Sequence, residues 1–87
     1  MELTAVPRLS AGCRLHRTEP ILLIPEGALK LAGPARELLL QVDGSRSVAE
    51  IIGLLAGQYP AADRSEIDQD VLGVLDRMQQ RGVIRVN

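Results

Sequence analysis

At Gly33-Pro34 the hydrophobic period of this chain changes, and that change limits the available folds more than any other feature. Before it, apolar residues follow a period of two. Cys13, Leu15 and Arg17 lie on one side of a short segment, with Arg14 and His16 on the other. Ile21 to Ile24 is a brief apolar run between Pro20 and Pro25, short enough to predict a strand covered on both faces. Leu29 and Leu31 then alternate with Ala28 and Lys30. Turns at Thr18-Glu19-Pro20 and Pro25-Glu26-Gly27 separate the three segments, which predicts a three-stranded antiparallel meander. After Gly33-Pro34 the period becomes helical. Pro34 suits a first helical position, where its missing N–H costs nothing. Leu38, Leu39 and Val42 continue at helical spacing, and Gly44 is expected to cap this helix. Ser47-Val48-Ala49-Glu50 is a capping box that opens a second helix, with Val48, Ile51, Ile52 and Leu55 as its stripe. Ser65 to Asp68 reads as a weaker box before a third helix. Ile67, Val71, Val74, Leu75 and Met78 share one face of it, and Gly82 stops it. Residues 83–86 are expected as a short strand or an extended tail. Residues 1–12 carry little pattern and are expected as an extended arm. The order of strands then helices predicts an α+β, winged-helix-like fold in one domain spanning residues 1–87.

Composition enters mainly by exclusion. The chain has 87 residues, and 46% of them are apolar, enough for one small core with little stability to spare. It holds no Trp, no Phe and a single Tyr, so base stacking on aromatics is not its way of holding a nucleic acid strand. Ten basic residues against eleven acidic ones give a net charge of -1, where a duplex binder of this size carries a basic excess. The third helix, where a winged helix reads DNA, begins with Glu66, Asp68 and Asp70. The one cysteine, Cys13, leaves no internal disulfide and no Cys-rich metal or iron–sulfur site, and a cytoplasmic location is the expectation. No apolar run is long enough to span a membrane, and Met1-Glu2-Leu3-Thr4 lacks the basic start of a signal peptide. The single His16 has no acid or nucleophile near it in sequence, and no Gly-rich loop opens a helix. No catalytic residue, metal site or cofactor is expected.

A binding surface is the remaining class. A meander has two edges, and the last strand, Ala28 to Leu31, carries one charge, Lys30, to protect its edge. At about 100° per residue the core face of the third helix centres near Val71, Val74 and Met78. Asp68, Leu72, Leu75 and Gln79 fall toward one flank. Beside an open strand, such a half-apolar flank makes a groove for an extended or amphipathic peptide. Spacing alone favours the plainer reading, Leu72 as a peripheral core residue or an isolated surface Leu.

The ordered set of motifs resembles a known family. It comprises Pro7-Arg8-Leu9, Gly12-Cys13-Arg14, Leu22 through Gly27, Leu31, Ala35 to Leu39, Asp43-Gly44, Ser47 through Ile52, Leu55, Tyr59, Asp70-Val71 and Arg81-Gly82. Together these resemble the PqqD-like proteins of pyrroloquinoline quinone biosynthesis, a precursor-peptide recognition family. Two positions depart from it: Val83 stands where many relatives have an aromatic, and Val42 where many have a cysteine. Both replace apolar by apolar and bear on packing.

The resemblance implies a peptide chaperone and not an enzyme. It implies that a small ribosomal precursor peptide is added as a strand beside the third strand, against the third helix. It also implies a partner, a radical S-adenosylmethionine enzyme that cross-links a Glu and a Tyr of that peptide. On the strand it points to Ala28, Leu29, Lys30 and Leu31. On the helix, Asp68, Leu72, Leu75 and Gln79 come from the angular argument and not from the family. A DNA-binding regulator and a structural homodimerisation module are the alternatives.

Overall fold

The computed structural model describes residues 1–86. Its elements are β1 (Pro7–Leu9), β2 (Arg14–Leu15), β3 (Ile21–Ile24), β4 (Gly27–Lys30), α1 (Ala35–Leu40), α2 (Val48–Gln58), α3 (Arg64–Gln80) and β5 (Ile84–Val86). The strand order β2-β3-β4 is the antiparallel meander expected, and the class is α+β. The segment 1–12 is more than an arm, since its residues 7–9 form β1. It pairs antiparallel with β5, placing Pro7 opposite Val86, Arg8 opposite Arg85 and Leu9 opposite Ile84. The winged-helix likeness gains no support from β5, which pairs with β1 instead of forming a hairpin of its own after α3.

Local chemistry explains the helix boundaries. The first backbone donors of an α-helix have no partner inside it. In α2 each of the first ones finds a partner. Ser47 Oγ accepts from Glu50 N–H at 3.2 Å, and Glu50 Oε1 accepts from Ser47 N–H at 3.0 Å. The Val48 and Ala49 N–H groups donate to the carbonyls of Ala5 and Leu3 at 2.9 and 3.0 Å. The capping box is therefore completed by the N-terminal segment. At the far end of α3, Gly82 (φ +77°) takes the left-handed conformation. Its N–H donates to Gln79 C=O and that of Val83 to Met78 C=O, a Schellman motif.

Four expectations need correction. α1 ends at Leu40 with Gln41 as its cap, so Gly44 does not close it. Gly44 N–H instead donates to Pro7 C=O at 3.0 Å, and a Cβ there would meet Arg8 Cβ at 3.5 Å. The Asp43-Gly44 turn thus anchors β1. Pro34 is the N-cap of α1, one residue earlier than expected. α3 is capped by Asp63, whose Oδ1 accepts from Ser65 N–H at 2.8 Å, and not by Ser65. On β3 only Leu22 is buried, while Ile21, Leu23 and Ile24 are half-buried, so one face of that strand stays partly open.

One core joins the layers. Leu22 of the sheet, Leu39 of α1, Ile51 and Ile52 of α2, Leu75 of α3 and Ile84 of β5 are each at most 2% exposed. Burying a side chain of this size stabilises by about 1.5–3 kcal/mol. The core therefore fixes α3 with its Val71–Leu75 face inward and the two flanks of the helix at the surface.

Candidate functional site: an open strand edge with a cleft at each end

Among the described residues, β4 pairs on one side only, with β3. Which of its backbone groups face outward follows from the register. Bonded and non-bonded pairs alternate along an antiparallel ladder. Leu31 N–H donates to Pro20 C=O at 2.7 Å. Leu22–Leu29 and Ile24–Gly27, two and four residues on, are then bonded pairs, and Leu23–Ala28 and Ile21–Lys30 are not. The other side of β3 agrees: His16 N–H donates to Ile21 C=O, which makes Arg14–Leu23 a bonded pair and turns Leu23 toward β2. The N–H and C=O groups of Ala28 and Lys30 therefore point to the free edge. Those of Leu29 face β3.

The end of β4 leads into a cleft of about 260 Å³. Ala32, Pro34 and Ala35 form one wall and α3 the other, over a floor of Leu38, Leu55, Val71 and Val74. Asp70 and Arg77 stand on its rim. The start of β4 borders a second cleft of about 430 Å³. There Pro25 and Glu26 face Arg81 and Gly82 at the end of α3, with Cys13 and Arg85 also lining it. One cleft thus matches the end of β4 with the body of α3, and the other matches the start of β4 with the end of α3. Strand and helix run past one another in opposite directions.

The expected site residues divide accordingly. Ala28 and Lys30 are exposed on the free edge, and Leu29 is half-buried toward the core. Leu31 is 8% exposed and Leu75 is fully buried. Both side chains belong to the core. Asp68 is half-buried and pairs with Arg64 at 3.3 Å; Leu72 packs against the core; Gln79 is exposed. None of these α3 residues lines the cleft beside β4, which is cut into the opposite flank at Gln69, Asp70, Gly73, Val74 and Arg77. At about 100° per residue, Leu72 and Asp70 lie equally far from Val71 on either side. Spacing therefore gives two flanks and does not say which one the strand approaches. The Leu72 side also carries Asp76, whose Oδ1 accepts from the Met1 amino group at 2.7 Å, so the N-terminal segment crosses there.

Two residues singled out in the sequence have local structural roles. His16 Nδ1 accepts from the N–H groups of Thr18 and Glu19 at 3.2 and 3.0 Å, closing the β2–β3 turn. Asp43 Oδ1 accepts from Ser45 and Arg46 N–H at 2.9 and 3.1 Å, and these bonds, with the Arg46 charge, hold its carboxyl below the ordinary 3.8. Among the described residues no three His, Cys, Asp or Glu side chains gather as a metal site.

Comparison with known proteins places this geometry. Residues 19–84 match the family described as Coenzyme PQQ synthesis protein D (PqqD). A protein of Azotobacter vinelandii named PqqA binding protein is 38% identical, over 98% of this chain and 95% of its own length. One of the same name from Pseudomonas aeruginosa is 40% identical, over 85% and 83%. Among solved structures, the fold matches the PqqD truncation of Methylobacterium extorquens PqqCD, with a TM-score of 0.75 and 36% identity over 98% of this chain and 99% of the other. That solution structure is described as a functional, stand-alone recognition element for ribosomally synthesized and post-translationally modified peptides. A match that runs from the β2–β3 turn to β5, with relatives this similar over most of their length, makes the chain a member of the PqqD family.

Proposed function

We propose that this protein is a chaperone for the ribosomal precursor peptide of pyrroloquinoline quinone. It binds that peptide as an added strand on β4 and presents it to a radical S-adenosylmethionine enzyme. One observation carries the reading: Ala28 and Lys30 turn backbone groups outward on a strand that is followed at once by Ala32, a wall of an apolar cleft against α3. The names of the relatives, PqqA binding protein, and of the matched structure, a peptide recognition element, support it.

The physical division of labour is simple. Bonds to Ala28 and Lys30 accept almost any sequence, because every peptide has the same backbone. The cleft over Leu38, Leu55, Val71 and Val74 selects an apolar side chain of the peptide. Ordering the peptide costs about 1–2 kcal/mol per residue, so moderate affinity is expected from a site this short. Holding peptide and enzyme together replaces a bimolecular encounter by a local one and raises the effective concentration of peptide. We place this encounter in the cytoplasm, where a ribosomal peptide is released. No helix among the described residues is long and apolar enough to cross a membrane.

Two measurements test the reading. Calorimetric titration with the precursor peptide is expected to show saturable 1:1 binding. Adding the protein to enzyme and peptide is expected to raise the yield of the Glu–Tyr cross-link. Absence of peptide binding refutes the function. A homodimer formed through the same β4 edge would compete with peptide, and sedimentation with and without peptide reads that competition.

A further inference from the structure

The second cleft, at the start of β4, has no role in a single-anchor picture of peptide binding. Its walls are apolar at Ile24, Pro25 and Val83, and two arginines, Arg81 and Arg85, line it. Neither forms an ion pair among the described residues, whose three ion pairs lie at Met1–Asp76, Asp43–Arg46 and Arg64–Asp68. Glu26 brings the one carboxylate of the lining. The cleft therefore carries a local positive excess in a chain whose net charge is -1.

We propose that this cleft is a second subsite for the bound peptide and takes one of its acidic side chains. The proposal rests on the peptide-binding reading above and extends it. Continuity supports it: one cleft is lined by Ala32, just after β4, and the other by Pro25 and Glu26, just before it. At about 3.3 Å per extended residue, the six steps between Glu26 and Ala32 span about 20 Å. On α3, at about 1.5 Å per residue, the two linings are centred about 14 Å apart. The acidic anchor thus lies about four to six residues from the apolar anchor. Antiparallel pairing is slightly more stable than parallel. A peptide paired that way meets the apolar cleft first and the arginine cleft with its C-terminal part.

The test uses the intact protein and the precursor peptide, in wild-type form and with each acidic residue replaced singly by Gln or Asn. Binding is read by calorimetry at two salt concentrations. The double variant R81Q/R85Q is expected to bind at least tenfold more weakly at low salt, with a shallower salt dependence. One neutralised peptide position, four to six residues from the apolar anchor, is expected to reproduce that loss and to add nothing further in the double variant. R81E/R85E is expected to recover binding to the peptide carrying Lys at that position, a readout that misfolding cannot mimic. Wild-type protein that binds no peptide overturns the function itself. Wild-type binding that R81Q/R85Q leaves unchanged overturns this inference alone, as does a loss indifferent to every acidic replacement in the peptide.

Discussion

Replacing Lys30 by proline isolates the strand-addition step. The Lys30 N–H points to the free edge, because Ile21–Lys30 is a non-bonded pair of the β3–β4 ladder. Proline there deletes an outward donor and leaves the bonds to β3 intact, as at the edge-strand positions where proline is tolerated. Leu29 precedes it within the strand, so the extended backbone that proline requires is already present. One neutral hydrogen bond contributes about 0.5–1.5 kcal/mol net, so affinity for the peptide is expected to fall roughly 2- to 12-fold. Lys30→Ala removes the same side chain and keeps the donor; it is expected to bind within about twofold of wild type. Leu29→Pro removes a donor that faces β3 and is expected to disrupt the hairpin itself. Calorimetric titration gives the affinities, and an amide spectrum of each free variant shows whether the sheet survives. If Lys30→Pro is folded and binds as tightly as Lys30→Ala, the peptide does not pair with this edge at Lys30.

The remaining expectations concern the cleft, a cap and a carboxylate. Val74→Ser, on the cleft floor, is expected to weaken peptide binding about fivefold, the loss of about 1 kcal/mol of apolar contact. Gln79→Ala, on the other flank, is expected to leave binding unchanged in the same titration. Ser47→Ala breaks the capping box of α2 and is expected to cost about 1 kcal/mol, or about 4–8 °C in Tm by calorimetric scan. Asp43 has a folded-state pKa below its ordinary 3.8, so its stabilising contribution is complete above that value and is lost as pH falls through the folded one. Asp43→Asn keeps the turn geometry but not the charge; urea unfolding is expected to show it less stable than wild type at neutral pH, with the gap closing below about pH 4.

The legible part of this fold is written in short-range chemistry. The period change at Gly33-Pro34, the Ser47–Glu50 box and the stop at Gly82 each depend on residues within a few positions, and each stands where it was expected. The meander was legible because its turns carry Pro and Gly between alternating runs. The β1–β5 ribbon was not. It joins two three-residue strands from opposite ends of the chain, and three residues are too few to establish a period. The cap of α3 was readable and missed: Asp63 precedes Glu66 by three, as good a spacing as Ser65 before Asp68.

The candidate site divides along the same line. The open edge at Ala28 and Lys30 followed from strand order and the scarcity of charge. Its outward groups needed the register, which rests on the Leu31 to Pro20 bond. The flank of α3 needed tertiary structure outright. A helix buried along Val71 and Leu75 offers two half-exposed sides, and Leu72 lies on the one that does not line the cleft. Arg81 and Arg85 belong to different elements, and only the Schellman turn at Gly82 and the pairing of β5 bring both to the start of β4.

Amide hydrogen exchange, residue by residue, with and without the precursor peptide, tests strand addition on β4 most directly. In the free protein, Leu29 and Leu31 are expected to be protected by β3 and by the Pro20 carbonyl, while Ala28 and Lys30 exchange quickly. With saturating peptide, Ala28 and Lys30 are expected to become protected and to complete an unbroken run through β4. Bound peptide with Ala28 and Lys30 still exchanging as fast as in the free protein contradicts strand addition on this edge.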